Sequence, residues 1–115
     1  MIDQIQPAQL NDWMAAKSSA GTTLVLDVRE AWEVQTASVK ANGFELQCIP
    51  MNTIPARLDE LSRDQPIACL CHHGARSMQV AAFLAQQGFA HVANIAGGIN
   101  AWSSQSITLC RHTDF

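Results

Sequence analysis

Six consecutive residues, Cys71-His72-His73-Gly74-Ala75-Arg76, bring together a thiol, two imidazoles, a flexible backbone position and a guanidinium. They follow the apolar run Ile67-Ala68-Cys69-Leu70, which reads as a buried strand, and precede an apolar helix pattern opening at Ser77. A cysteine where a strand ends and a helix begins is ringed by free backbone N–H groups, and a helix N-terminus adds partial positive charge. That setting stabilises a thiolate and predicts that Cys71 is a nucleophile rather than a packing residue. An ordinary thiol, with a pKa of about 8.5, is only a few per cent ionised at pH 7, and making most of it reactive takes roughly 2.7 kcal/mol of anion stabilisation. The N–H groups of His72, His73, Gly74, Ala75, Arg76 and Ser77, folded around the sulfur, would supply it as an anion nest. Gly74, lacking a Cβ, permits the tight curve.

Neighbouring residues have a functional and a plainer reading. Arg76 either attracts an anionic substrate or pairs with Glu30 or Asp27. Ser77 either donates its hydroxyl to the sulfur or caps the helix. His72 and His73 either raise the local positive potential and move a proton or face solvent. Asp27 and Arg29, at the end of another strand, position the loop, and a structural ion pair is the preferred reading. Cys69, Cys71, His72 and His73 are all metal-capable, but a zinc site needs ligands from more than one segment, so no metal or other cofactor is expected. Cys69 reads as a buried strand residue, with a protective disulfide to Cys71 as the alternative. Cys48 and Cys110 read as inert and Trp102 as core, and His91 and His112 support no function.

The elements that must hold this loop alternate between two periods. Pro7 to Lys17 reads as a helix with Leu10, Trp13 and Met14 on one face, and Thr23 to Val28 as a strand covered on both faces. Glu30 to Gln35 makes one or two helical turns, and Leu46 to Ile49 is a weaker strand stopped by Pro50. Asn52 would cap a helix running to about Leu61, with Pro55 in its first turn. The helix from Ser77 to Gln87 is apolar almost all round and stopped by Gly88. His91 to Ile95 is a strand, Gly97-Gly98 a turn, and Ile99 to Ser103 a short helix. Alternating strands and helices predict an α/β layer fold with a mainly parallel sheet. Ligands on such sheets bind beyond the carboxyl ends of the strands, where Cys71 falls.

With 115 residues, 48% of them apolar, the chain has room for one domain, 1–115, with a C-terminal tail from about residue 106. A net charge of −3 offers no basic face, so neither nucleic acid nor membrane is an expected partner. The N-terminus shows no secretion signal, which makes a cytoplasmic protein with reduced thiols the expectation. A monomer is the default at this size.

The strand-Cys-x-x-Gly-x-Arg-Ser-helix segment, with Gly88-Phe89 and Gly97-Gly98-Ile99-Asn100-Ala101-Trp102 downstream, resembles the rhodanese family of sulfurtransferases. Asp27-Val28-Arg29-Glu30 and Ile49-Pro50-Met51 resemble that family too, so the likeness runs from Thr23 to Ser103. It implies a three-layer fold with a five-stranded parallel sheet between helices. It also implies a cysteine that accepts sulfane sulfur from thiosulfate or a similar small anion, holds it as a persulfide, and gives it to cyanide or a thiol. A sulfur-relay protein is the alternative acceptor. The sequence departs from the family pattern at Ala37 to Glu45, on the rim of the pocket. Phosphatases and arsenate reductases with a similar cradle have five residues between Cys and Arg. Here there are four, and the shorter ring suits one sulfur atom better than a tetrahedral oxyanion. The third reading is a sulfur carrier or binding module with little turnover of its own. The intact Cys71 speaks against a purely structural module, because inactive family members typically lack it.

Overall fold

A computed structural model describes residues 2–39, 43–104 and 109–111. Among them, five parallel strands form one sheet in the order β1-β6-β5-β2-β4: β1 Ile2–Ile5, β2 Leu24–Asp27, β4 Glu45–Cys48, β5 Ile67–Leu70 and β6 Val92–Ile95. The strands alternate with helices α1 Leu10–Ala16, α2 Ala31–Thr36, α3 Ala75–Gln86 and α4 Gly98–Ser104. The α/β fold with a five-stranded parallel sheet is therefore as the resemblance implies.

The period of two along each strand divides the core. Leu24, Leu26, Val28, Ile67, Cys69 and Val92 pack beneath Val80, Ala81 and Leu84 of α3. Val25, Ala68, Leu70, Ala93 and Ile95 face the opposite layer, where Leu10 and Trp13 of α1 meet Ile99 and Trp102 of α4. Because β2 and β5 are covered on both faces, their side chains are apolar at consecutive positions. Trp102 is core, as expected, with Phe44 edge-on to it at 6.2 Å between ring centroids.

At four places the structure goes beyond or departs from the sequence reading. The N-terminal residues, given no element above, form strand β1 at the sheet edge, tied to α1 by Trp13 Nε1 donating to Asp3 Oδ2 at 2.8 Å. The helix expected from Asn52 to Leu61 is instead two 3-10 turns, Met51–Thr53 and Pro55–Glu60, with a kink at Arg57. Pro55 has no N–H to donate to the Met51 carbonyl, so the shorter bond from Ile54 N to Met51 O takes over. The segment that departs from the family pattern contains strand β3, Ala37–Val39, antiparallel to β7, Leu109–Arg111, which lies within the expected tail. Finally, α3 begins at Ala75, two residues before Ser77. His112 and the side chain of Cys110 lie outside the described residues.

Candidate active site

Cys71 follows the last residue of β5 at the carboxyl edge of the sheet, and α3 starts four residues later. The turn between them is made by Gly74, which caps α3 in a left-handed conformation with φ +105°. A side chain there would be strained, and its Cβ would lie 3.0 Å from the Gly97 backbone nitrogen. This turn brings the Gly74 N–H to the sulfur, donating at 3.0 Å. The Ser77 hydroxyl lies 3.3 Å from the sulfur.

The other side of the loop explains why its amides turn inward. The Ile99 N–H donates to the Cys71 carbonyl at 2.8 Å, and the Asn100 N–H donates to the His72 carbonyl at 3.1 Å. With its carbonyls drawn outward by the first turn of α4, the loop presents N–H groups to Cys71 Sγ. The contact is close enough to require glycine at residue 98, where a Cβ would approach the Cys71 carbonyl oxygen to 2.1 Å.

Cys71 is 1% exposed, so water cannot solvate a charge there. Burial alone pushes its pKa up. The Ser77 hydroxyl, and the backbone amides of Ser77, Gly74 and His73, more than offset burial and hold the thiol below its ordinary value. Two residues back, Cys69 is 0% exposed on the same face, and burial pushes its thiol up to about 12.

Arg76 does not pair with Glu30 or Asp27. It makes a bidentate ion pair with Glu33 of α2, with both contacts at 2.7 Å. The Arg76 guanidinium holds the Glu33 carboxyl down at about 2. Sequence reasoning missed Glu33, and its position six residues after Asp27 gives no signal without the fold. Asp27 and Arg29 form the ion pair read from the sequence, buried at 2.8 Å, and Arg29 also donates to the Glu33 carbonyl at 3.3 Å. Charges thus run from the end of β2 through α2 to the first turn of α3 and brace the loop from outside.

His72 and His73 stack on each other with ring centroids 4.1 Å apart and are exposed. Ala75 opens α3 with its side chain in solvent. Ser77 is not the helix cap. It is the third residue of α3, its hydroxyl turned back toward the Gly74 carbonyl at 3.2 Å and toward the sulfur. Among the described residues, no three His, Cys, Asp or Glu side chains are grouped to hold a metal ion, and no helix is long and apolar enough to cross a membrane.

Comparison with known proteins adds the following. Residues 7–105 match the family profile described as Rhodanese-like domain. A sulfurtransferase of Allochromatium vinosum is 31% identical over 109 residues, covering 95% of each chain. A rhodanese-related protein of Thermoplasma volcanium superimposes with a TM-score of 0.74 at 30% identity, covering 94% of this chain and 97% of that one. A rhodanese-like domain protein of Staphylococcus aureus superimposes with a TM-score of 0.72 at 25% identity, covering 88% and 91%.

Proposed function

The chain belongs to the rhodanese family, and from that premise we propose that it moves a sulfane sulfur from thiosulfate or a similar donor to a thiophilic acceptor through a persulfide on Cys71. The Cys71 thiolate attacks the outer sulfur of the donor. A new S–S bond forms, the donor's own S–S bond breaks, and its electron pair leaves with sulfite. Cyanide or a thiol then attacks the terminal sulfur of the persulfide. That S–S bond breaks, and its electron pair returns to Cys71 Sγ. The acceptor is either a small molecule or the thiol of a sulfur-relay protein.

The observation that carries this reading is the Gly74 N–H donating to a nearly sealed sulfur. A persulfide is an anion, and a buried anion needs donors fixed before it forms. The same cradle serves the thiolate and, one sulfur atom further out, the product of the first step. Arg76 acts in this scheme as a brace, since its charge is already met by Glu33. That engagement also favours sulfur over phosphate, because a phosphate-binding loop needs its guanidinium free for the oxyanion.

Thiosulfate treatment followed by mass spectrometry should place one added sulfur on Cys71, with release of thiocyanate when cyanide is supplied. Cys71→Ser should lower that transfer at least about a thousand-fold, as loss of a covalent nucleophile does. Transfer by the serine variant at the wild-type rate, or turnover of an aryl phosphate without sulfur transfer, would overturn the reading.

A further inference from the structure

Asn94 is a polar side chain where the fold calls for an apolar one. It sits in β6 on the face covered by α3, in register with Cys69 of β5 on one side and Gln4 of β1 on the other, and is 4% exposed. A buried amide is costly unless it is hydrogen-bonded, and this one is bonded on both sides. Ser77 Oγ donates to Asn94 Oδ1 at 2.5 Å, and Asn94 Nδ2 donates to Gln4 Oε1 at 3.0 Å. Gln4 is exposed, so the chain Cys71–Ser77–Asn94–Gln4 runs from the sulfur to solvent.

Ser77 is the shared member, and its hydroxyl has one proton for three acceptors: Asn94 Oδ1 at 2.5 Å, the Gly74 carbonyl at 3.2 Å and Cys71 Sγ at 3.3 Å. With the proton on the shortest contact, Ser77 Oγ turns a lone pair to the sulfur. That arrangement suits a thiol, which donates its S–H, and opposes a thiolate. When Cys71 ionises, the sulfur only accepts, and the Ser77 O–H must turn toward it. Ser77 Oγ and Asn94 Oδ1 would then be two lone-pair oxygens in contact. A half-turn of the Asn94 amide removes the conflict, because oxygen and nitrogen exchange places with almost no change of volume. Asn94 Nδ2 then donates to Ser77 Oγ, and the exposed Gln4 gives up the contact of its Nε2 with Met78 Sδ, 2.7 Å, and turns its own amide to donate to Asn94 Oδ1. Ser77, Asn94 and Gln4 each keep a hydrogen-bond partner in both states, only the weak thioether acceptor of Met78 loses one, and no proton travels along the chain.

We propose that Asn94 is a positioning residue whose amide orientation follows the charge on Cys71 and directs the Ser77 hydroxyl proton toward β6 for the thiol and toward the sulfur for the thiolate. It rests on Cys71 being the reacting sulfur. The other charged and titratable groups on the surrounding elements are Arg76 on α3 with its partner Glu33 on α2, the paired Asp27 and Arg29 at the end of β2, the exposed His72 and His73 on the loop, and Cys69 behind it on β5. Asn94 acts through Ser77.

Two measurements test the assignment. In the wild-type protein, the Asn94 side-chain amide signals in a 15N-resolved NMR titration should move with the midpoint of Cys71 ionisation, and should stay still through that range in Cys71→Ser. In a cycle of Asn94→Asp with Ser77→Ala, the carboxylate cannot donate and holds the Ser77 proton away from the sulfur. The thiolate fraction at pH 6, read from iodoacetamide alkylation, should fall about ten-fold or more with Ser77 present. With alanine at residue 77, Asn94→Asp should cause less than half that change on a logarithmic scale. An unmoved Asn94 amide signal, or an equal effect of Asn94→Asp in both backgrounds, would overturn the proposal. Persulfide formation on Cys71, measured on the same wild-type sample, separates that failure from failure of the sulfurtransferase reading.

Discussion

Cys69 and Cys71 are two residues apart, project from the same face of the sheet and join the same apolar cluster, at 0% and 1% exposure. Burial raises the pKa of both. Yet Cys69 is pushed up to about 12, while Cys71 ends below its ordinary value. Depth therefore does not decide the direction of the shift here. Cys69 is still within the strand, where backbone N–H groups are spent on the neighbouring strands. Cys71 is the first residue past it, where the amides of His73, Gly74 and Ser77 are free to turn toward a side chain. Two residues of chain separate a thiol that burial pushes up to about 12 from one held below its ordinary value.

The sharpest way to break this contrast is to measure both thiols together. Iodoacetamide at pH 7, with peptide mapping over time, should label Cys71 at least about a thousand-fold faster than Cys69 in the folded protein. Comparable rates would mean that the donors do not decide the difference. Gly98→Ala should come next in size. Its Cβ cannot share space with the Cys71 carbonyl oxygen, so the carbonyl must move and the loop amides must lose their aim. Sulfur transfer should drop about a hundred-fold, the scale expected of a misplacement near 1 Å. A variant that folds and turns over normally would show that the α4 contact does not aim the cradle.

The smallest effect concerns stability. A folded-state pKa raised above the ordinary thiol value gives Cys69 a stabilising contribution that is complete below that value and fades as pH climbs toward 12. Urea unfolding across that alkaline range should therefore show falling stability, with a shallower fall in Cys69→Ala. The alanine variant should also be less stable at neutral pH by about 1–2 kcal/mol, through lost packing. Parallel pH curves for the two proteins would show that Cys69 does not carry the alkaline loss.

The loop was legible because its signals are local. A buried strand, a cysteine, a glycine and a long apolar helix pattern sit within twenty residues, and the family resemblance supplied the sheet around them. What stayed hidden depends on residues distant in sequence. Ile2-Asp3-Gln4-Ile5 has neither an apolar run nor a clean alternation, and becomes a strand only because β6 offers an edge. Glu33 looks like any acidic residue in the first turn of a short helix until Arg76 arrives 43 positions later. The true start of α3 was masked by Ala75 and Arg76, which read as a continuation of the His-His-Gly turn. Asn94 carried no motif, only the oddity of an amide in an apolar strand.

One consequence of the α4 contact reaches back to synthesis. Gly98 and the donors that follow it lie 27 or more positions after Cys71 in the chain. While a ribosome is still adding those residues, the thiol exists without the clamp that orients its cradle. The cradle is thus set late, only after the first turn of α4 has been made.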